Sequence, residues 1–491
     1  MRPEAKLPDT GIRYRVLAFL CLLSMITYLD RVAMGAAAPA IASALFGPGT
    51  TVEVLKWAFT AFTFAYATFE VPTGWLGDVF GPKRTLIRIV LWWSAFTALT
   101  GFVAWEITRG WYVFGIGSVA LGWLIAIRFL FGVGEAGAYP NITRALHNWM
   151  PFSERGQAQG AVWFSGRLMG GLTPLLWVVL VEWLLGRGVG LHEDSRWRVA
   201  FWIFGGIGVL WCVAFARWFR DRPEEHPGVG PGELERIRFG RVEEETAHSG
   251  VPWLRLLTDR NLWALCLMYF CAAFGWYFHI TYLPGFLERH YGVARESLLG
   301  GLFKGGPLIF GALGCVIGGW LTDRWIRRTG DRKWGRRLFG ILGHLLCAAC
   351  FPLCIIAPWA GLFALCISLA AFWNDITMGP SWAVCQDIGK RYAAIVAGCM
   401  NTIGNLGGAA ANLVTGTVVQ WAKSHYASTH LEIVAERIGY DLNFGLFALV
   451  YLTAAGLWLF IDATRPVAGQ FQEFPGPTAC SGSSEQPCAE K

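Results

Sequence analysis

The stretches GWLGDVFGPKR (residues 74–84) and GWLTDRWIRRT (residues 319–329) share the pattern G-W-L-x-D, followed in each case by basic residues. Each comes directly after the second long apolar segment of its half of the chain. Small residues and basic loops can recur by chance in membrane proteins, but the same pattern at corresponding loops favours a duplication. The repeat therefore predicts two similar helical bundles with a binding site near the membrane midplane, at their interface.

The composition is that of a membrane protein. Hydrophobic residues make up 54% of the 491 residues and charged residues only 15%, which is far from the usual composition of a soluble domain. A membrane-spanning helix needs about 20 mostly apolar residues, and the sequence contains twelve such segments, six on either side of a polar stretch. The predicted fold class is an all-α membrane protein with twelve transmembrane helices in two six-helix bundles.

The domain organisation follows from the polar stretch and from the charges of the loops. The predicted parts are an N-terminal bundle (1–219), a cytoplasmic linker (220–260), a C-terminal bundle (261–465) and a cytoplasmic tail (466–491), whose Gly-, Pro- and Ser-rich composition predicts disorder. Most Lys and Arg residues fall on one side of the spans, so the positive-inside rule places both termini in the cytoplasm. We expect a multi-pass protein of the cell membrane (inner or plasma membrane) whose first helix is retained.

Several function classes receive no support from the sequence. The C-x-x-C pair Cys347 and Cys350 has no second pair or nearby His, so neither a metal nor another cofactor is expected. The net charge of +7 arises from membrane-flanking loops, and no basic stripe interleaved with aromatic residues predicts a nucleic-acid partner. No P-loop, H-E-x-x-H or G-x-S-x-G motif is present. A transporter, expected to act as a monomer in the lipid bilayer, is therefore favoured over a receptor or an enzyme.

The first copy of the repeat also resembles a known family. The major facilitator superfamily has a loop pattern G-x-x-x-D-x-x-G followed by basic residues, and the chain matches it at Gly74, Asp78, Gly81, Lys83 and Arg84. The family usually has a basic residue where this chain has Val79, so we expect part of the cytoplasmic charge network to be weaker. The resemblance implies the major facilitator fold and a gating role for these five residues and, in the second copy, for Asp323 and Arg324.

Two further stretches narrow the resemblance. They are YLDRVAMGAAAPAI (28–41) and RFLFGVGEAGAYPNITRALHNWMPFSERGQAQG (128–160). Both resemble the anion:cation symporter family, which includes bacterial carriers of galactonate, glucarate and hexuronates and, more distantly, vesicular glutamate and sialic acid carriers. The resemblance implies import of an organic anion such as a sugar acid.

Charged residues within the predicted spans are the main candidates for function. Each costs about 2.5–3.5 kcal/mol at the centre of a membrane helix, so they must face protein or water. They are Asp30, Arg31, Glu70, Arg128, Glu135, Arg167, Lys304 and Asp375.

Depth along the helices suggests which charges meet. At about 1.5 Å rise per residue, Asp30 lies about 22 Å and Arg128 about 24 Å from the cytoplasmic edge, which predicts an ion pair. Adjacent residues point about 100° apart on a helix, so Arg31 is then free to face the central cavity. Tyr28 shares the face of Arg31.

The predicted substrate ring adds residues at similar depths, about 13–18 Å, to Tyr28 and Arg31. They are Tyr66, Arg167, Ser381 and Asn401. Guanidinium groups bind carboxylates bidentately, and the neutral groups suit hydroxyls. The resemblance points to the same positions, and it implies a second acidic group or a different acid, because Arg167 replaces the Gln expected in a galactonate carrier. For Arg167 the alternative is an ion pair with Glu70 or Asp375. For Ser381 and Asn401 the alternative is hydrogen bonding between helices.

The resemblance assigns proton coupling to Glu135, in the Gly-rich stretch GVGEAGAYP, and we expect the predicted pair Asp30 and Arg128 to take part in it. The alternative for Glu135 is a helix-packing role. His279 is a rival proton site, but its position near the outer mouth is more typical of a gate or an aromatic belt. The predicted function is proton-coupled symport of an organic anion by alternating access. A sodium-coupled anion carrier and a drug or cation exporter of the same fold remain alternatives.

Overall fold

The computed structural model describes residues 9–48, 50, 52–103, 119–239, 251–293, 298–426 and 428–467, and every regular element within them is a helix. The helices are α1 (Ile12–Phe46), α2 (Lys56–Phe80), α3 (Pro82–Thr100), α4 (Val119–Glu135), α5 (Ala138–Trp149), α6 (Arg155–Trp177, continued as a π-helix over Val178–Gly188), α7 (Glu193–Trp218), α8 (Pro231–Arg238), α9 (Trp253–Thr258), α10 (Arg260–Thr281), α11 (Leu283–Tyr291), α12 (Leu298–Thr329), α13 (Arg332–Ile355), α14 (Ala360–Ile376), α15 (Met378–Gly389), α16 (Ala393–His425) and α17 (Glu432–Leu457).

The helices are long because their sequences are apolar almost throughout. Within the described residues, nine helical segments are long and apolar enough to cross a membrane. One of them, Ala360–His425, contains a turn at Lys390 between α15 and α16. This segment corresponds to two of the predicted transmembrane helices. The nine segments, with this one counted twice and with α2 and α3 added, correspond to the twelve predicted transmembrane helices.

The packing of the helices repeats between the two halves of the chain. In the first half α1 packs on α6, α2 on α4 and α3 on α7, and in the second half α10 packs on α16, α12 on α14 and α13 on α17. The bundles meet mainly where α6 contacts α12 and where α2 contacts α16. The predicted all-α fold of two bundles is confirmed, and the repeat that the G-W-L-x-D pattern indicated is present in the packing.

Two helices are interrupted at matching places. In the first bundle α4 ends at Glu135 and α5 begins at Ala138, and in the second α14 ends at Ile376 and α15 begins at Met378. A buried carboxylate therefore stands at each break, Glu135 in one bundle and Asp375 in the other.

The predicted linker contains a docked helix. The buried Glu233 of α8 accepts hydrogen bonds from the backbone N–H groups of Ile12 (3.0 Å) and Arg13 (2.9 Å) at the start of α1. At the other end of the described chain, the N–H of Val467 donates to the Ile388 carbonyl (3.0 Å). The rest of the tail, 468–491, and the predicted location of the extreme N-terminus, 1–8, lie outside the described residues.

Candidate functional site

The shared glycine of the repeat lies where one bundle touches the other. A Cβ atom at Gly74 would lie 2.7 Å from the carbonyl oxygen of Ala394, and one at Gly319 would lie 2.3 Å from that of Gly156. Both distances are too short for a side chain. The repeat therefore keeps glycine because α2 and α12 each pack directly against the backbone of a helix in the opposite bundle.

The acidic residue of each copy caps that opposite helix. Asp78 accepts from the N–H groups of Ala394 (3.2 Å) and Ile395 (2.8 Å), at the start of α16. Asp323 accepts from the N–H groups of residues 156 (3.1 Å) and 157 (2.6 Å), at the start of α6. A carboxylate at a helix N-terminus is favoured both by the free N–H groups and by the helix dipole. We call this end of the molecule, where Asp78, Asp323 and Asp387 lie, the Asp78 face.

Buried arginines join these caps into a network that the sequence reading missed. Arg336 donates to Asp323 (2.9 Å) and to Asp387 (3.2 Å), and Arg155 of the other bundle donates to Asp387 (2.7 Å). Arg144 donates to the Lys390 carbonyl across the interface (2.8 Å). Arg155 and Arg336 lie near the starts of α6 and α13, and Arg144 lies in the middle of α5. The sequence suggested only the positive charge that flanks membrane spans.

Three predicted gate side chains lie away from these contacts. The backbone N–H of Lys83 donates to Asp221 at the start of the predicted linker (2.7 Å), while Arg84 is exposed. Arg324 is also exposed, with its guanidinium 5.0 Å from the Trp320 ring. Burial raises the pKa of the Asp221 carboxyl, and the Lys83 N–H bond acts against this rise.

Gly81 has a structural role in the turn between α2 and α3. It has φ 86°, a conformation that favours glycine. A Cβ atom there would also lie 2.8 Å from an oxygen of Asp221.

At mid-depth in the first bundle, Arg31 of α1 pairs with Glu135 of α4. Arg31 Nε donates to Glu135 Oε1 (2.8 Å), and the guanidinium lies 4.4 Å from the centre of the Tyr66 ring. The Arg31 side chain is 25% exposed, whereas Glu135 is fully buried. Arg31 Nη2 and Glu135 Oε2 have no hydrogen-bond partner among the described residues. The pair therefore keeps one free donor and one free acceptor.

The predicted direct pair of Asp30 with Arg128 is not formed. Asp30 faces α3, where Thr97 donates to Oδ2 (3.5 Å), and its Oδ1 has no partner among the described residues. The Arg128 guanidinium lies against the rings of Phe62 (4.8 Å) and Phe131 (4.5 Å) and acts on the Asp30 charge only from a distance. Depth along a helix does not give the rotation of its side chains, and Arg31 meets the α4 carboxylate instead.

Arg167 of α6 spans the bundle interface. Its Nε donates to Asp375 Oδ2 (2.9 Å) and its Nη2 to Oδ1 (3.3 Å), a bidentate ion pair with α14. Its Nη1 donates to the Tyr28 hydroxyl (3.4 Å), and the Trp276 ring lies 3.7 Å from the guanidinium carbon. The sequence left two roles open for Arg167, which were substrate binding and an ion pair with Glu70 or Asp375. The structure contains the ion pair with Asp375.

Glu70 of α2 makes a second contact between the bundles at mid-depth. Its carboxylate accepts from the amide of Asn401, from that of Asn405 (3.2 Å) and from the hydroxyl of Thr402 (3.5 Å). The Asn401 amide is also 3.5 Å from the Tyr66 hydroxyl. Asn401 is thus engaged in interhelical bonding, the alternative to substrate contact.

Three other residues have hydrogen-bond or ion-pair partners within their own bundle. The buried Ser381 hydroxyl donates to the Thr377 carbonyl one turn earlier (2.6 Å). The His279 ring nitrogens lie 3.1 Å and 3.3 Å from backbone carbonyls of its own bundle. Lys304 pairs with Glu288 (2.8 Å).

Two repeated bundles that cap each other's helices at one end and bury charged pairs at mid-depth define a multi-pass membrane transporter. The profile of the Major Facilitator Superfamily matches residues 20–412, and the chain belongs to this superfamily. It is a transporter and not an enzyme, as its relatives are.

Its relatives carry organic anions. The chain is 33% identical over 417 residues to a probable sulfoacetate transporter of Cupriavidus necator, covering 84% of this chain and 89% of that protein. It is 28% identical over 481 residues to a probable galactarate/D-glucarate transporter of Escherichia coli, covering 94% and 97%. Among solved structures, a proton:xylose symporter superposes with a TM-score of 0.68 at 13% identity, covering 93% of this chain and 98% of that chain, which shows the shared fold.

Proposed function

We propose that the protein imports a small organic anion, a sugar acid or related carboxylate, together with protons. The observation that carries the proposal is the Arg31–Glu135 pair, because each partner keeps one unused polar atom. The free Arg31 Nη2 is a donor for a carboxylate or sulfonate, and the free Glu135 Oε2 is an acceptor for a proton. One pair thus holds binding sites for both transported species.

The pair also couples the two events. While Glu135 is ionised, it attracts the guanidinium through a charge-assisted hydrogen bond. Protonation of Glu135 removes that charge, and Arg31 is then free to bind the anion fully. Release of the anion and the proton on the other side restores the ion pair, so that the empty carrier returns with its charges satisfied.

The charge balance at mid-depth supports proton coupling. Among the described residues of this region, the acids exceed the arginines by one negative charge when all are ionised, so an anion would be repelled. Proton uptake by one carboxyl cancels this excess negative charge and removes the repulsion. The groups are Arg31, Arg128 and Arg167 against Asp30, Glu70, Glu135 and Asp375.

The arrangement of the interface supports import. The inter-bundle hydrogen bonds and ion pairs between described residues lie at mid-depth or at the Asp78 face. We propose that this face is cytoplasmic and closed in this structure, so that the partly exposed Arg31 is reached from outside. Both termini are then cytoplasmic, and one chain, as a monomer, encloses the complete site.

The test is uptake by the purified protein in vesicles. Labelled D-glucarate and sulfoacetate, chosen from the names of the relatives, should accumulate faster when the outside is more acidic than the inside. A protonophore should abolish the effect, and replacement of external sodium by choline should leave it unchanged. Uptake that follows sodium and ignores the pH gradient would contradict proton symport, and uptake of neither anion would contradict the substrate class.

A further inference from the structure

A groove on the outer surface of the first bundle has a basic end and an apolar end. Its volume is about 560 Å³, and it is lined by the α3 residues Arg84, Ile87, Arg88, Leu91 and Trp92. The two arginines are four residues apart, about 6 Å along the helix axis, and so share one face of α3. Leu91 and Trp92 continue the same face by one further turn. One groove therefore combines two guanidinium groups with an apolar surface.

The two arginines of the groove have no partner within the described part of the chain. Both are exposed, and neither forms a hydrogen bond or an ion pair with a described residue. In contrast, Arg155 at the same face donates to a carboxylate of its opposite bundle (2.7 Å). The carboxylate that follows α7, Asp221, accepts from the backbone N–H of Lys83 (2.7 Å). The positive charge of the groove is therefore available to a molecule from outside the chain.

The groove lies at the depth where a bilayer changes from polar to apolar. α3 begins with Pro82 at the Asp78 face, and Arg88 lies six residues further on, about 9 Å along the axis. The headgroup region of one leaflet is about 5–7 Å thick. Leu91 and Trp92, one turn deeper, are each 42% exposed and so face lipid tails. At this level the arginines extend towards the headgroups, while their aliphatic stems stay on the apolar surface.

Trp92 gives the groove a fixed wall. Its Nε1 donates to the Leu130 carbonyl of α4 (2.8 Å), although part of the ring remains exposed. A Cβ atom at Gly134 would lie 2.1 Å from the ring, so the glycine allows the indole to lie directly on α4. Tryptophan is typical of the membrane interface because its ring is apolar and its N–H is polar. The wall is therefore held in place by the fold before any ligand binds.

We propose that this groove binds an anionic phospholipid, with its headgroup at Arg84 and Arg88 and an acyl chain along Leu91 and Trp92. Guanidinium groups suit a phosphodiester, because they donate charge-assisted hydrogen bonds to its oxygens. Basic sites beside membrane spans are where headgroups of net negative charge bind. The inference does not rest on the proposed function, because it uses neither of the groups that bind the transported species.

The test is thermal unfolding of the purified full chain in neutral detergent with added lipid, because a ligand of the folded state raises the unfolding midpoint. Phosphatidylglycerol is compared with phosphatidylcholine of the same acyl chains. The lipid concentration that gives half of the maximal shift should be at least about tenfold lower for phosphatidylglycerol, as expected for two arginines near an anionic headgroup. Inorganic phosphate at the same concentrations should give no shift, since the acyl chain is part of the ligand.

The double variant Arg84→Gln with Arg88→Gln should reduce this preference to near one. The control is Arg187→Gln with Arg328→Gln, which removes the same charge from two exposed arginines outside the groove and should keep the preference. Each single variant in the groove should lose part of the preference, which keeps the test available if the double variant does not fold.

Four results would overturn the inference. They are equal potency of the two lipids on the parent protein, a preference that persists without both groove arginines, loss of the preference in the control, and an equal shift with inorganic phosphate. The proposed function is tested separately, because it fails only if uptake does not respond to the pH gradient or neither anion is taken up.

Discussion

The two arginine–carboxylate pairs at mid-depth start from the same framework and differ in use. Glu135 and Asp375 stand at matching helix breaks of the two bundles. The Arg31–Glu135 pair lies within one bundle, has a single hydrogen bond and keeps free polar atoms. The Arg167–Asp375 pair crosses the interface with two hydrogen bonds and is almost fully buried. Duplication supplied an acid in each bundle, and the position of its arginine decides whether the pair can receive a ligand or holds the bundles together.

The largest effect is expected at the Arg31–Glu135 pair. Arg31→Ala should abolish binding of D-glucarate, because it removes the partly exposed guanidinium while the buried Glu135 remains. Calorimetry on the purified variant is the measurement. Arg88→Ala, at an exposed arginine of α3, is the matched control and should bind as the parent does. Equal affinity in Arg31→Ala and the parent would remove Arg31 from the site.

The Arg167–Asp375 pair should contribute more to the stability of the fold than the Arg31–Glu135 pair. Asp375→Asn leaves the Arg167 charge buried without its counter-ion, which commonly costs about 3–5 kcal/mol. The thermal unfolding midpoint in detergent should fall, and addition of Arg167→Gln should recover most of the loss.

Glu182→Gln is the control for Asp375→Asn, because Glu182 forms a partly exposed ion pair with Arg196 that this substitution breaks. Such pairs contribute at most about 1 kcal/mol. A midpoint for Asp375→Asn no lower than that of Glu182→Gln would show that the inter-bundle pair is not a structural tie.

The two glycines of the repeat, Gly74 and Gly319, allow a comparison of the two helix contacts between the bundles at the Asp78 face. Gly319→Ala places a Cβ atom 2.3 Å from a carbonyl oxygen, and Gly74→Ala places one at 2.7 Å. Overpacking of this kind costs about 1–3 kcal/mol, so both variants should unfold at lower temperature, with the larger shift for Gly319→Ala. Gly171→Ala, where no atom lies within 4 Å, should show no loss. A larger fall in unfolding temperature for Gly74→Ala than for Gly319→Ala would indicate that the two helix contacts adjust differently to the added methyl group.

The smallest effect is expected at Ser381. Its hydroxyl bonds a carbonyl of its own helix, so Ser381→Ala should leave anion affinity unchanged and should alter the free energy of unfolding by about 1 kcal/mol or less. Calorimetry and thermal unfolding test both statements. A clear loss of affinity would return Ser381 to the binding ring that the sequence predicted.

The sequence was sufficient for the fold because apolar length and the duplicated G-W-L-x-D pattern are local signals. It also pointed to Asp78 and Asp323, which carry the family-like pattern and which cap helices of the opposite bundle in the structure. Heights within the membrane follow from the rise per residue, but the rotation of each helix depends on packing with its neighbours. For that reason the sequence paired Asp30 with Arg128, whereas the adjacent Arg31 meets Glu135. Arg155 and Arg336, which join these caps into a network, were missed because both donate to Asp387, which is 232 and 51 residues away from them in the chain.

The role of Glu135 is the central claim, and the Glu135→Gln variant tests it most directly. Glutamine cannot take up or release the coupling proton, and it leaves Arg31 without a charged partner. In vesicles, the variant should exchange labelled for unlabelled D-glucarate between equal pools, yet fail to accumulate it when a pH gradient is applied. Undiminished pH-driven accumulation by Glu135→Gln, at the rate of the parent protein, would contradict the account.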